Sequence, residues 1–119
     1  MPKPKFVTVR ITQAGPTSAP VITPSEEPID LDEMVHGHGN GAFINWDISN
    51  DSTPGWEFRN SGIVINDLGR RKFTDKGQSN PGKRHTWQRE EADRNTYKYT
   101  IHVTDGKTTA ESDPFIRNF

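Results

Sequence analysis

The sequence contains no cysteine. That excludes disulfide staples, thiolate metal sites, a blue-copper centre and a cysteine nucleophile. Leucine and alanine are scarce, at two and five residues in 119, and a helix draws on these residues most. No apolar run approaches the length of a membrane span, and the opening "MPKPKFVTVRIT" has no apolar h-region. No membrane partner is therefore expected, and a cytoplasmic location is favoured. Positive charge is missing from a long stretch: residues 11–58 hold no Lys or Arg but eight acids, whereas residues 59–94 hold nine bases and five acids. With a net charge of −1 and acids diluting the basic half, nucleic acid is disfavoured as a partner. The uneven halves read first as solvated faces and second as complementary surfaces between copies of the chain.

Nine Ile, six Val and twelve Thr are present, with nineteen Gly plus Pro. β-branched residues suit a pleated surface and frequent turns suit short strands, so the composition is all-β. Three Trp, two Tyr and six Phe offset the thin aliphatic content of a chain whose length fits one domain. Residues 1–119 are read as a single β-sandwich domain.

Period-2 alternation places strands along the chain. "KFVTVRIT" turns Val7, Val9 and Ile11 to one face, and "IDLDEMV" turns Ile29 and Leu31 inward. "AFINWDIS" does the same with Ile44, Trp46 and Ile48. "WEFRNSGIVI" reads as one bulged strand or two short ones, broken near Ser61 and Gly62. Phe73 anchors a short strand, "KRHTWQRE" is a weak one, and "YKYTIHVTD" is the clearest. Asp105 and Gly106 form a hairpin turn. The prolines of residues 16–28 are expected to prevent regular ladders there.

The stretch Asp93-x-Asn95-x-Tyr97-x-Tyr99 resembles the entry to strand F of immunoglobulin-like domains, Asp-x-Ala-x-Tyr-x-Cys. The resemblance implies an Ig-like antiparallel sandwich of seven to nine strands, with Tyr97 as the tyrosine corner and Trp46 as the buried strand-C Trp. Asn95 stands where that pattern has Ala and Tyr99 where it has Cys; Leu31 or Ile29 takes the place of the strand-B Cys. The tail "YKYTIHVTDGK…DPFIRN" is also similar to the ends of small bacterial β-sandwich proteins. A fold of this kind hosts many unrelated functions and implies none by itself.

Three features could carry chemistry. In "HGHGNG", His36 and His38 lie two apart, so on an extended strand both point the same way and could share Cu(II), Ni(II) or Zn(II). As a phosphate loop the stretch lacks a following helix. The favoured reading is a turn shaped by glycines at 37, 39 and 41. Trp56 follows a Pro-Gly turn and Trp87 lies among charges; core or half-buried packing is the favoured role, and the alternative is a surface platform for a sugar ring. No Gly-x-Ser-x-Gly elbow or His-Glu-x-x-His helix is present, so neither an enzyme nor a cofactor is expected. The expected function is a non-catalytic binding or interaction module. The alternatives are a carbohydrate-binding module using Trp56 and Trp87, and a metal binder using His36 and His38. The C-terminal stretch "KTTAES" has no proline before Pro114. As an open edge it could pair with a second copy in a weak, salt-sensitive homodimer.

Overall fold

The computed structural model describes residues 3–15, 17–31, 39–66, 71–80 and 82–119. Ten strands follow in order: β1 (Lys5–Thr12), β2 (Val21–Pro24), β3 (Ile29–Asp30), β4 (Phe43–Ile48), β5 (Glu57–Ile65), β6 (Phe73–Ser79), β7 (Arg84–Arg89), β8 (Asn95–Thr104), β9 (Thr109–Ser112) and β10 (Phe115–Asn118). They make two sheets, β2-β1-β4-β7-β6 and β3-β10-β8-β5, with β9 also pairing β8. The all-β class expected from composition, and the β-sandwich implied by the resemblance, are the fold. Among the described residues, no helix is long and apolar enough to cross a membrane.

The alternation that marks each strand also builds the core. Val7, Val9 and Ile11 of β1 meet Ile44 and Trp46 of β4 on one inner face, while Tyr99, Ile101 and Val103 of β8 meet Ile63 and Ile65 of β5 on the other. Among the described residues, three ring contacts join the sheets: Trp46 with Tyr99 at 5.3 Å between centroids, Phe73 with Tyr97 at 6.5 Å, and Phe58 with His85 at 6.3 Å. The Trp87 indole N–H adds a 2.9 Å bond to the Ile63 carbonyl.

The architecture departs from the expected antiparallel sandwich. The described residues form ten strands, and both sheets are mixed, because β1 runs parallel to β4 and β3 runs parallel to β10. Alternation has the same period in either pairing, so it cannot report strand direction. Pro20 and Pro24 bracket a ladder that they were expected to prevent. The four residues of β2 pair with β1, and Pro24 closes the strand at the sheet edge, where a missing N–H is tolerated. At the other end, Asp113 and Pro114 split one path into β9 and β10, both bonded to β8.

Two assignments implied by the immunoglobulin resemblance are corrected. Trp46 is fully buried but lies on β4, in the sheet opposite β8, whereas strand C shares its sheet with strand F. Ile29 lies on β3, in the same sheet as β8, so it cannot stand at a strand-B position facing Tyr99 across the core. Four acids of the stretch 11–58 meet cations within the chain. Glu26 pairs with Lys5 at 2.5 Å, Asp30 with Arg117 at 2.8 Å, Asp47 with Arg84 at 2.5 Å and Asp51 with Arg10 at 3.4 Å.

Candidate functional surface

Strands that alternate inward and outward give the β2-β1-β4-β7-β6 sheet a second face, directed to solvent. The register writes its rows. Phe6 lies beside Asn45 and Asn45 beside Thr86; Thr8 lies beside Asp47 and Asp47 beside Arg84; Phe43 lies beside Gln88 and Gln88 beside Thr74. Phe6 and Phe43 are 56% and 43% exposed. One residue apart across the strands and two along, their Cα atoms are about 8 Å apart.

The polar side chains beside the rings are held in place. The Thr86 hydroxyl donates to Asn45 Oδ1 at 2.8 Å, and Gln88 Nε2 donates to the Gly41 carbonyl at 3.0 Å. Arg84 grips Asp47 through two bonds, Nε to Oδ1 at 2.5 Å and a terminal nitrogen to Oδ2 at 3.2 Å. Those hydrogen bonds push the Arg84 pKa up, against a smaller opposing effect of burial. The same guanidinium sits 5.8 Å from the centroid of the Phe6 ring.

At the end of β4 this face runs into a cleft of about 580 Å³ whose lining includes Thr8, Asp47, Asn50, Asp51, Asn80 and Lys83. The loop that forms it is stiff. Ser49 N–H donates to the Val9 carbonyl and Thr53 N–H to the Ile11 carbonyl, both at 2.8 Å. The Ser52 hydroxyl accepts from Ile11 N–H and the Thr53 hydroxyl from Gln13 N–H, both at 3.0 Å. The Ser49 hydroxyl donates to Asp51, and that bond, aided by Arg10, holds the exposed Asp51 carboxyl below its usual range. A neighbouring hollow of about 250 Å³ shares Ser49, Asn50 and Lys83 and has Trp56 in its lining. Lys83 Nζ is tied to the Trp56 carbonyl at 2.7 Å. The cleft therefore presents preformed hydrogen-bonding groups in a space within the range of small-molecule sites.

Trp56 and Trp87 are not surface platforms. They are 1% and 3% exposed, and neither offers a ring face to solvent. Both are core, the favoured reading; at Trp87 the apolar face was obscured in the sequence because His85 and Arg89, the other inward residues of β7, are polar. At Trp56, Gly55 at φ 95° turns the chain inward into β5. His36 and His38 lie outside the described residues. Gly41 takes φ 87°, as a glycine-shaped turn requires. Among the described residues, no group of three potential metal ligands comes together. His85 is buried against Asp75 at 2.8 Å and His102 lies 3.3 Å from Glu111, so the two remaining histidines belong to opposite sheets.

Sequence reasoning also missed a buried polar clamp. Arg89 and Asn118 are fully buried. Arg89 donates to the Leu31 carbonyl at 3.1 Å and to Asn118 Oδ1 and the Phe119 carbonyl, each at 3.3 Å. Asn118 Nδ2 donates in turn to the Glu91 carbonyl at 2.9 Å and to Asp93 at 3.0 Å. Partial burial would raise the Asp93 pKa, but bonds from the Tyr97 hydroxyl, Asn95 and Asn118 overcome it and hold the carboxyl below its usual range. A carboxyl depressed in the folded state adds stability above its unfolded pKa of about 4, and that stability is lost as pH falls through the folded value. Thermal melting temperature should therefore drop on acidification below about pH 4, and Asp93→Asn should flatten that drop. An Asp93→Asn profile parallel to the wild type would refute this role.

No family model matches the chain, and no curated protein matches it.

Proposed function

We propose that the protein is a non-catalytic binding module of immunoglobulin-like type, which holds a hydroxyl-rich ligand of the carbohydrate class on the outer face of β1, β4 and β7. The strand arrangement supports the immunoglobulin-like part. β4-β7-β6 facing β10-β8-β5 corresponds to strands B-E-D facing G-F-C. In that correspondence Trp46 and Tyr99 stand where the inter-sheet disulfide would be, and their ring contact takes its place.

One observation carries the ligand class. Two exposed phenyl rings adjoin a fixed group of amide, hydroxyl, carboxylate and guanidinium side chains, and that group continues into the cleft at Asn50 and Asn80. Sugar rings present apolar C–H faces for stacking and vicinal hydroxyls for paired hydrogen bonds. Planar side chains already locked by their neighbours bind such hydroxyls at low ordering cost. Affinity electrophoresis in gels carrying neutral soluble polysaccharides tests the reading. Retarded migration with at least one of them is the expected result, and unchanged mobility in all of them would overturn the carbohydrate assignment.

A further inference from the structure

We infer that the bulge of β5 forms an oxyanion-binding site on the other sheet. From Phe58 to Ile63 strand β5 advances five residues, while β8 advances two, from Val103 to Ile101. Residues 59–62 therefore leave the ladder opposite His102. The excursion is built in from both sides. A Cβ at Gly62 would lie 2.6 Å from the Phe58 Cβ, so only glycine lets the chain fold this closely over the buried Phe58. Gln78 of β6 reaches across from the other sheet, and its Nε2 donates to the Arg59 carbonyl and, at 3.3 Å, to the Asn60 carbonyl.

A bulge blunts a sheet edge, and that accounts for the extra residues. It does not account for what they assemble. Arg59, Asn60, Ser61 and His102 line a hollow of about 330 Å³. His102 Nδ1 lies 3.3 Å from a Glu111 carboxylate oxygen, which fixes the ring and leaves Nε2 for a ligand. Guanidinium, carboxamide and hydroxyl can all donate hydrogen bonds, as can Nε2 of His102 in its imidazolium form, and no carboxylate is among the lining residues. Arg59 enters no ion pair among the described residues. Several donors around one hollow, a guanidinium among them, fit the oxygens of a phosphate or sulfate group.

Amide chemical-shift titrations with inorganic phosphate, inorganic sulfate and O-phosphoserine test the site, with sodium chloride at matched ionic strength as the reference. Saturable shifts centred on residues 59–62 and His102, absent with chloride, are the expected result. Arg59→Ala and His102→Gln should each weaken binding about tenfold, with melting temperatures unchanged because the Arg59 side chain is exposed and His102 lies on the outer face. Tighter binding of O-phosphoserine assigns the site to a group carried on a larger molecule, and equal binding assigns it to the free anion; both uphold the site. Shifts that never saturate, or undiminished affinity in Arg59→Ala, would overturn it. The β1-β4-β7 face lies on the other sheet, so this result leaves the carbohydrate reading untouched.

Discussion

Trp46→Ala should destabilise the protein by about 3–5 kcal/mol, as other large truncations in packed cores do. Trp46 is fully buried on β4, between Val7 of β1 and His85 of β7, and its ring contacts Tyr99 of the opposite sheet at 5.3 Å. Removing it opens a cavity between the two layers. Among the described residues, neither the indole N–H nor the Tyr99 hydroxyl reaches a hydrogen-bond partner. Burial raises the Tyr99 pKa well above its usual value, and the nearby indole N–H offsets this only in part. The value of Trp46 is thus packing, and Trp46→Phe should recover part of the loss. Urea denaturation of the two variants measures both effects. A loss below about 1 kcal/mol for Trp46→Ala would fall outside the core range and refute its role as the inter-sheet anchor.

Arg89→Leu should cost about 3 kcal/mol or more, although a leucine at an inward strand position is usually favourable. Arg89 is fully buried, and its guanidinium serves three acceptors, the Leu31 carbonyl, Asn118 Oδ1 and the Phe119 carbonyl. Leucine would leave the Leu31 carbonyl and Asn118 Oδ1 buried without that donor, and breaking one side of a buried polar network costs more than the net value of its bonds. Protection of the β10 amides against hydrogen exchange should fall with it, because the clamp joins β7 to the C-terminal residues. A variant as stable as the wild type would mean that the clamp contributes nothing beyond filling space.

The strands were legible wherever inward positions were apolar. β1 and β8 carry unbroken alternation, and both stand at the bounds or on the face that alternation set. β7 was harder to read because its inward residues are His85, Trp87 and Arg89, and two of the three look like surface residues until their partners across the core are known. Strand direction was invisible for the same reason that alternation is informative: the period is a property of one strand and not of a pair. The candidate surface was hidden more deeply. Phe6 and Phe43 each adjoin an apolar core position, Val7 and Ile44, so in one dimension they merge with the core. Trp56 and Trp87, beside turns and charges, drew the functional reading instead. Only the register that sets Phe6 beside Asn45 and Phe43 beside Gln88 separates the two groups.

The most direct test of the binding surface is an amide chemical-shift titration with soluble oligosaccharides, run on the wild type and on a Phe6→Ala, Phe43→Ala double variant. Both rings are largely exposed, so the variant should stay folded, with each substitution moving stability by about 0.5 kcal/mol or less. The account predicts saturable shifts centred on Asn45, Asp47 and Thr86 in the wild type and their loss in the double variant. Equal affinity in the two proteins, or shifts confined to the opposite sheet, would contradict it.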